Sequence, residues 1–502
     1  MRILAASLLI FSLAVAACAP ARLQRVRERR ESVAAASDLE RAFTGANDAA
    51  ATKALGNWIE QAHRSGALVQ EVGGYRVKFQ TKGKGVYAPV YFDRIERASR
   101  YAPVGLDSHR EAGAGVPMIG HRDNQRREAI EKWYPPEAIT RAVTAVAIPG
   151  PVRGGKRDVE IRLYDRLQTE TVAIGGRRQT LAADFTAPWA GLLGETRALA
   201  TTGLTSVLRQ QTGREPGFAL MEAYDPNKTP LILIHGLFST PLAWAELTNE
   251  LWADPAVRTR YQIWHYLYPT NAPPLYSARV MRKQLDEMRS TLDPDGRDPA
   301  MQRTVVIAHS MGGILTKSLV VDPRDAFWDA IFTRPIGTMN LTREERATLD
   351  EAFFWKPRKH VDRVIFCSVP FGGSTFAASW VGLLGRRFVA PSKGFSDFFD
   401  SLEKKNPGIW GPAYRNLPGN SVNSVSSLSP QQLSMEIFHR LPIVPTTAAH
   451  VITGSRDFFV SSTSSAVPGA ESSLEVPSGH GSFHHPKAIA EIKRILALPP
   501  HH

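Results

Sequence analysis

Val305-Val306-Ile307-Ala308-His309-Ser310-Met311-Gly312-Gly313, followed by Ile314-Leu315-Thr316-Lys317-Ser318-Leu319, is the stretch whose reading decides the fold. A β-branched apolar run stops at a serine set among small residues, and a second apolar run resumes at once. That is strand, sharp turn, helix. Small residues two before and two after the serine let the strand and helix approach closely. A tight turn there strains the serine backbone and presents its hydroxyl. A serine between two small residues is common by chance, and the bland reading is a mere strand-to-helix turn. The strand before it, the helix after it and the doubled glycine make this instance specific. Ser310 is the candidate nucleophile.

A second motif lies upstream in the matching order. Pro230-Leu231-Ile232-Leu233-Ile234 reads as a buried parallel strand, and His235-Gly236-Leu237-Phe238-Ser239-Thr240 follows it. An apolar strand ending in His-Gly is by itself more often a strand and a tight turn. Ahead of an elbow it becomes a candidate oxyanion loop, in which the backbone N–H groups of Leu237 and Met311 converge on a developing oxyanion. The remaining partners of such a serine follow in the order acid, then histidine. His450-Val451-Ile452-Thr453-Gly454 is a late strand and Ser455-Arg456-Asp457-Phe458-Phe459-Val460 the turn after it, so Asp457 is the candidate acid. Alone, it reads as a turn aspartate capping its own backbone. Leu474-Glu475-Val476 is one more strand, and Ser478-Gly479-His480-Gly481 the loop beyond it. His480 is preferred over His484 and His485 because it comes first after the strand and is flanked by glycines. A closing helix begins at Pro486, with apolar residues at 489, 492, 495 and 496.

With these motifs in order, the chain from about 230 to 496 resembles the α/β-hydrolase superfamily, and within it bacterial lipases and larger lipase-like deacylases of membrane lipids. Ala308 replaces the usual first glycine of the elbow, as in some bacterial lipases. Intermediate elements agree: a strand over Tyr261–Pro269, an amphipathic helix over Ser277–Leu292 and a strand over Val364–Pro370. The continuation Phe371-Gly372-Gly373-Ser374 resembles a turn common in lipases at that point. The resemblance implies an α/β-hydrolase fold with a mostly parallel central sheet, lid insertions, and an N-terminal mixed α+β extension.

The implied chemistry is ester cleavage through an acyl-serine. His480 takes the Ser310 proton, Asp457 orients the imidazole, and the Leu237 and Met311 amides hold the oxyanion. Neither a metal nor a nucleotide cofactor is expected, because the sequence holds no Gly-rich phosphate loop, HExxH helix or Cys/His ligand spacing. The His484-His485 and His501-His502 pairs read as solvated surface residues.

The amino terminus speaks to the setting. One arginine at position 2, an apolar run from Ile3 to Ala17, and small residues before Cys18 have the form of a secretory signal, too short for a comfortable membrane span. Val15-Ala16-Ala17-Cys18 resembles a bacterial lipoprotein box, which implies lipidation of Cys18, and Ala19 resembles outer-membrane rather than inner-membrane sorting. Five arginines and one glutamate over residues 22–30 make a basic tether suited to anionic headgroups or simply to solvent. Nucleic acid is the wrong partner class for an exported chain of net charge +13 without basic–aromatic interleaving. Only Cys18 and Cys367 exist, so with Cys18 lipidated no disulfide is available and Cys367 reads as a small buried hydrophobe.

At 502 residues the chain can build more than one core. The expected division is a signal over 1–17, a tether over 18–36, a region of unassigned role over 37–220, and a catalytic domain over 221–500. In the unassigned region residues 37–66 read as helical and Trp189–Gln211 as a helical candidate. Three runs, Val159–Asp165, Glu170–Ile174 and Gln179–Asp184, read as an antiparallel set, belonging either to the hydrolase sheet or to a separate domain. Insertions near 322–357 and 376–447 carry many aromatics, including Phe327, Trp328, Phe353, Trp355, Trp380, Phe388 and Trp410. Packing of the insertions' own cores is the bland account of them, and an apolar acyl groove the functional one. The leading function is a lipase or esterase, possible phospholipids included, on lipid-like esters at the bacterial envelope. An acyltransferase using the same triad and a non-catalytic envelope lipoprotein on a hydrolase scaffold are the alternatives. The oligomeric state is not legible.

Overall fold

The structure is a computed structural model that describes residues 22–26, 36–200, 217–237, 239–270, 272, 274–372, 393–411 and 433–501. The expected signal segment, Cys18, Ala19, Phe238, Gly373, Ser374, Trp380 and Phe388 lie outside these, as does the far end of the Trp189–Gln211 candidate, whose near part is the helix Thr186–Ala200. Two compact units are present: Met1–Thr201 with Thr248–Thr259, and Thr202–Leu247 with Arg260–His502.

The first unit has its own seven-stranded sheet. Its path runs Val69–Val72, Tyr75–Phe79, Lys156–Asp165, Ile139–Arg153, Val116–Arg122, Arg94–Arg97, with Val86–Tyr87 paired to Lys156–Asp165. The helix Ala49–Ser65 starts where the Asp48 carboxylate accepts from the amides of Ala50 and Ala51, and stops at Gly66, whose φ of 70° suits a residue without a Cβ. Its apolar face, Ala51, Leu55, Ile59 and Ala62, shares a core with Val77, Val143 and Ile161 of the sheet. The expected single antiparallel set is corrected. Val159–Asp165 belongs to this sheet, Thr171–Ile174 and Arg177–Thr180 form a separate hairpin, and Ala183–Asp184 pairs with Arg110–Glu111. Alternation identifies a strand's faces but not its neighbour. The basic tether is also not all linker, since Arg22–Arg25 pairs antiparallel with Tyr101–Val104.

The second unit carries a seven-stranded sheet. Its strands are β1 (Gly217–Leu220), β2 (Thr229–Ile234), β3 (Tyr261–Leu267), β4 (Thr304–His309), β5 (Val361–Cys367), β6 (Ala448–Gly454) and β7 (Ser472–Val476). They lie in the order β1-β3-β2-β4-β5-β6-β7, and all neighbours are parallel except β1 with β3. This sheet therefore begins before position 221, and Thr248–Thr259, inside the expected catalytic span, groups with the first unit. Leu231 to Ile234, Val306 to Ala308 and Val364 to Cys367 are fully buried, as strands covered on both faces must be. Around them are α1 (Pro274–Leu292), α2 (Met311–Lys317) and α7 (Pro486–Ala497), the last with Ala488, Ile489, Ile492, Ile495 and Leu496 turned inward. Cys367 is buried, and that burial pushes its thiol up to about 12.

The described parts of the two insertions contain α3 (Ala326–Ile331), α4 (Arg343–Phe353), α5 (Lys393–Lys405) and α6 (Leu433–Arg440). Their aromatics mostly meet one another. Trp328 stacks on Phe332 at 4.1 Å, Phe332 meets Trp410 at 5.2 Å, and Phe327 meets both Trp355 and Phe438. Phe327, Trp328, Phe353, Trp355 and Trp410 are all buried and pack into a core of the insertions.

Ile365 lies at the centre of β5 and is fully buried. Ile365→Ala is expected to lower unfolding free energy by about 2–5 kcal/mol through lost burial and a residual cavity, measured by urea unfolding.

Candidate active site

The sharp turn at the end of β4 is built by backbone strain and missing side chains. Ser310 has φ 51°, ψ −126°, a conformation that costs about 1–3 kcal/mol for a residue with a Cβ. The Ser310 amide donates to the Cys367 carbonyl at 3.0 Å, which ties the turn to the end of β5. A methyl on Gly312 would collide with the backbone oxygens of His235 and Ile234, and one on Gly313 with the side chain of Val369. Both neighbours are packed groups with nowhere to go, so only glycine lets α2 lie this close to β2 and to the segment after β5.

Asp457 and His480 follow β6 and β7, adjacent strands in which Gly454 pairs with Val476. The two loops interlock: the Ser455 amide donates to the Val476 carbonyl and the Arg456 amide to the Ser478 carbonyl. The Asp457 carboxylate is almost wholly buried, its side chain 1% exposed. Its Oδ1 accepts from the amides of Phe459 and Val460 at 2.8 and 3.0 Å, leaving Oδ2 to accept from His480 Nδ1 at 2.8 Å. With the proton on Nδ1, His480 Nε2 accepts from the Ser310 hydroxyl at 2.9 Å. Ser310, His480 and Asp457 thus form one continuous hydrogen-bonded line. Of the other two histidine candidates, His484 donates to Glu246 Oε2 at 2.9 Å, and His485 caps α7 by accepting from the Lys487 amide. Sequence order alone left three candidates; these bonds single out His480 as the one that faces Ser310.

The residues expected to form an oxyanion loop also gather here. Gly236 packs over the elbow so closely that a Cβ would lie 2.7 Å from His309 Nδ1 and 2.9 Å from Ser310 Cβ. Leu237 comes next, and Met311, first in α2, carries an N–H that no intrahelical carbonyl can take.

His309 supplies an interaction that spacing did not reveal. Its Nε2 donates to the backbone carbonyl of His480 at 2.9 Å, and its ring packs against His480 at 4.6 Å and Phe483 at 4.9 Å. It therefore fixes the backbone that carries His480. Burial, and secondarily the nearby His480, hold His309 well below the ordinary imidazole value, so it stays neutral. Phe483 rests in turn on Trp244 at 4.4 Å, just after the oxyanion loop. Nothing in the sequence distinguishes His309 from any other elbow residue, because its partner is a backbone atom far along the chain. Among the described residues no group of three or more His, Cys, Asp or Glu side chains is gathered as for a metal ion.

A profile of the alpha/beta hydrolase family matches residues 231–492, and the chain belongs to that family. Sequence comparison with curated proteins finds no match. Similar solved structures include a mature lipase of Bacillus licheniformis, 15% identical, covering 55% of this chain and 95% of that one at a TM-score of 0.31. A monoacylglycerol lipase of Paleococcus ferrophilus is 14% identical over 57% of this chain and 97% of that one, TM-score 0.30. An esterase of a Rhodococcus species is 12% identical over 57% and 98%, TM-score 0.29. Likeness at this level carries no inference about substrate.

Three imidazoles of this region are buried and neutral: burial takes His235 down to about 4 and His265 to about 3, and His309 is depressed likewise. In the unfolded chain they titrate near pH 6.5. Below that pH the unfolded state binds more protons than the folded one, so stability is fully present above about 6.5 and falls as pH drops towards 4. Urea midpoints measured across this range are expected to decline with pH, and to decline less steeply in His265→Gln.

Proposed function

We propose that this chain is a serine-dependent carboxylic ester hydrolase, of lipase or esterase type, acting through an acyl-serine. The observation that carries this reading is the line of hydrogen bonds from Asp457 through His480 to Ser310. Attack by the Ser310 oxygen on an acyl carbonyl passes its proton to His480 Nε2. The cationic imidazole is stabilised by the buried Asp457, which is itself held by two backbone amides. The same proton then goes to the leaving alcohol, and water repeats the sequence on the acyl-enzyme. The amides of Leu237 and Met311 are the proposed oxyanion donors. A scaffold without activity would not need this line to be complete.

Lipid-like esters are the proposed substrate class. Phe459 lies 5.2 Å ring to ring from His480, and Phe458, beside the acid, is 90% exposed, so an apolar edge adjoins the base. The proposed setting is the bacterial envelope, with Cys18 as a lipid anchor in the outer membrane. It rests on the signal-like start of the sequence and the basic residues after it. Among the described residues no helix is long and apolar enough to cross a membrane.

The test is a series of p-nitrophenyl esters of rising acyl length, on protein starting at residue 19. Turnover is expected to rise with chain length. Ser310→Ala is expected to lower it about a million-fold and Asp457→Ala about ten-thousand-fold. Equal turnover by wild type and Ser310→Ala would sink the assignment.

A further inference from the structure

We propose that His235 and Tyr268 form a positioning device that aims the Leu237 amide at the oxyanion, an inference that rests on the ester-hydrolase reading of Ser310. The Gly236 carbonyl and the Leu237 N–H belong to one peptide group, and in a trans peptide they point in opposite directions. Whatever holds that carbonyl therefore aims that N–H. His235 holds it: its Nδ1–H donates to the Gly236 oxygen at 2.9 Å.

The ring performing this task is itself fixed on every side. Tyr268 stacks on it with centroids 4.5 Å apart and planes 13° from parallel. The Tyr268 hydroxyl donates to the His235 carbonyl at 2.8 Å, and the Tyr268 amide approaches His235 Nε2 at 3.5 Å. Tyr266 extends the stack at 6.0 Å. His235 and Tyr268 are both buried. Burial keeps the imidazole neutral, with one proton, and that proton is committed to the Gly236 carbonyl. Burial likewise raises the Tyr268 phenol, so it remains a donor. Gly236 itself lies so close to His309 and Ser310 that a Cβ there would collide with both. The peptide is thus gripped through its carbonyl on the His235 side, leaving its N–H to face the other way. His235 and Tyr268 are positioning residues: neither touches the reacting atoms.

The test measures kcat and KM for a p-nitrophenyl ester and the inhibition constant of an alkyl trifluoromethyl ketone, whose adduct places an oxyanion in the same site. His235→Leu removes the donor, and His235→Asn restores an N–H at nearly the same place. In His235→Leu kcat is expected to fall by about 100-fold at nearly constant KM, the lower edge of what losing an oxyanion donor itself costs. Inhibitor affinity is expected to fall by the same factor as kcat/KM, and His235→Asn to recover most of both. A loss appearing in KM alone, or an inhibitor affinity that does not follow kcat/KM, overturns the proposal. Should His235→Leu fail to fold, Tyr268→Phe decides: kcat is expected to drop about tenfold at constant KM, and unchanged kcat and inhibitor affinity overturn it. Ser310→Ala in parallel separates the two readings: turnover surviving in that variant rejects the hydrolase assignment and with it the aiming device, whereas turnover lost there but unchanged in His235→Leu rejects the aiming device alone.

Discussion

The close approach of α2 to the carboxyl ends of β2 and β4 is the constraint on which the rest of the site depends. It requires a serine with positive φ and glycines at 312 and 313, since any Cβ there meets backbone oxygen or a packed valine. A strained backbone persists only where the surroundings over-determine it. Here the buried central strands β2, β4 and β5 and the hydrogen bond from the Ser310 amide to Cys367 provide that surrounding. One turn thereby sets the serine hydroxyl, frees the Met311 amide and wedges His309 beneath the loop of His480.

Histidine serves four different purposes within this small volume. His480 connects Asp457 with Ser310, His309 secures the backbone of His480, His235 grips the Gly236 carbonyl, and His484 pairs with Glu246. The division follows from burial and partners. An imidazole that has lost its water and gained a carbonyl but no carboxylate is kept neutral and becomes a fixed donor. One that keeps a buried carboxylate on Nδ1 and a hydroxyl on Nε2 is, under the proposed function, arranged to accept a proton and stabilise the charge. The same side chain becomes brace or base according to what lies at its two nitrogens.

The aromatic-rich insertions illustrate the same dependence on surroundings. Aromatic side chains bury large areas and find each other, and Phe327, Trp328, Phe353, Trp355 and Trp410 do so here. The pair after Asp457 departs from that pattern, with Phe459 against His480 and Phe458 open to solvent. Aromatic content thus says little by itself, because most such side chains pack on one another.

The sequence by itself determined the parallel sheet, the strand-turn-helix at Ser310, the candidate acid and the closing helix. Each is written in short-range patterns: apolar runs of strand length, glycines where backbones meet, and a proline at a helix start. It also ordered the histidines and preferred His480 over His484 and His485, which lie within one short stretch, without fixing that choice. Tertiary structure decided that choice, because it rests on which ring reaches Ser310 across the sheet. It alone decided that Val159–Asp165 joins a separate sheet and that Thr248–Thr259 leaves the unit surrounding it in sequence. The roles of His309, His235 and Tyr268 were equally invisible. Each depends on a backbone carbonyl as partner, and a carbonyl is the same at every position of the chain until folding brings one within reach.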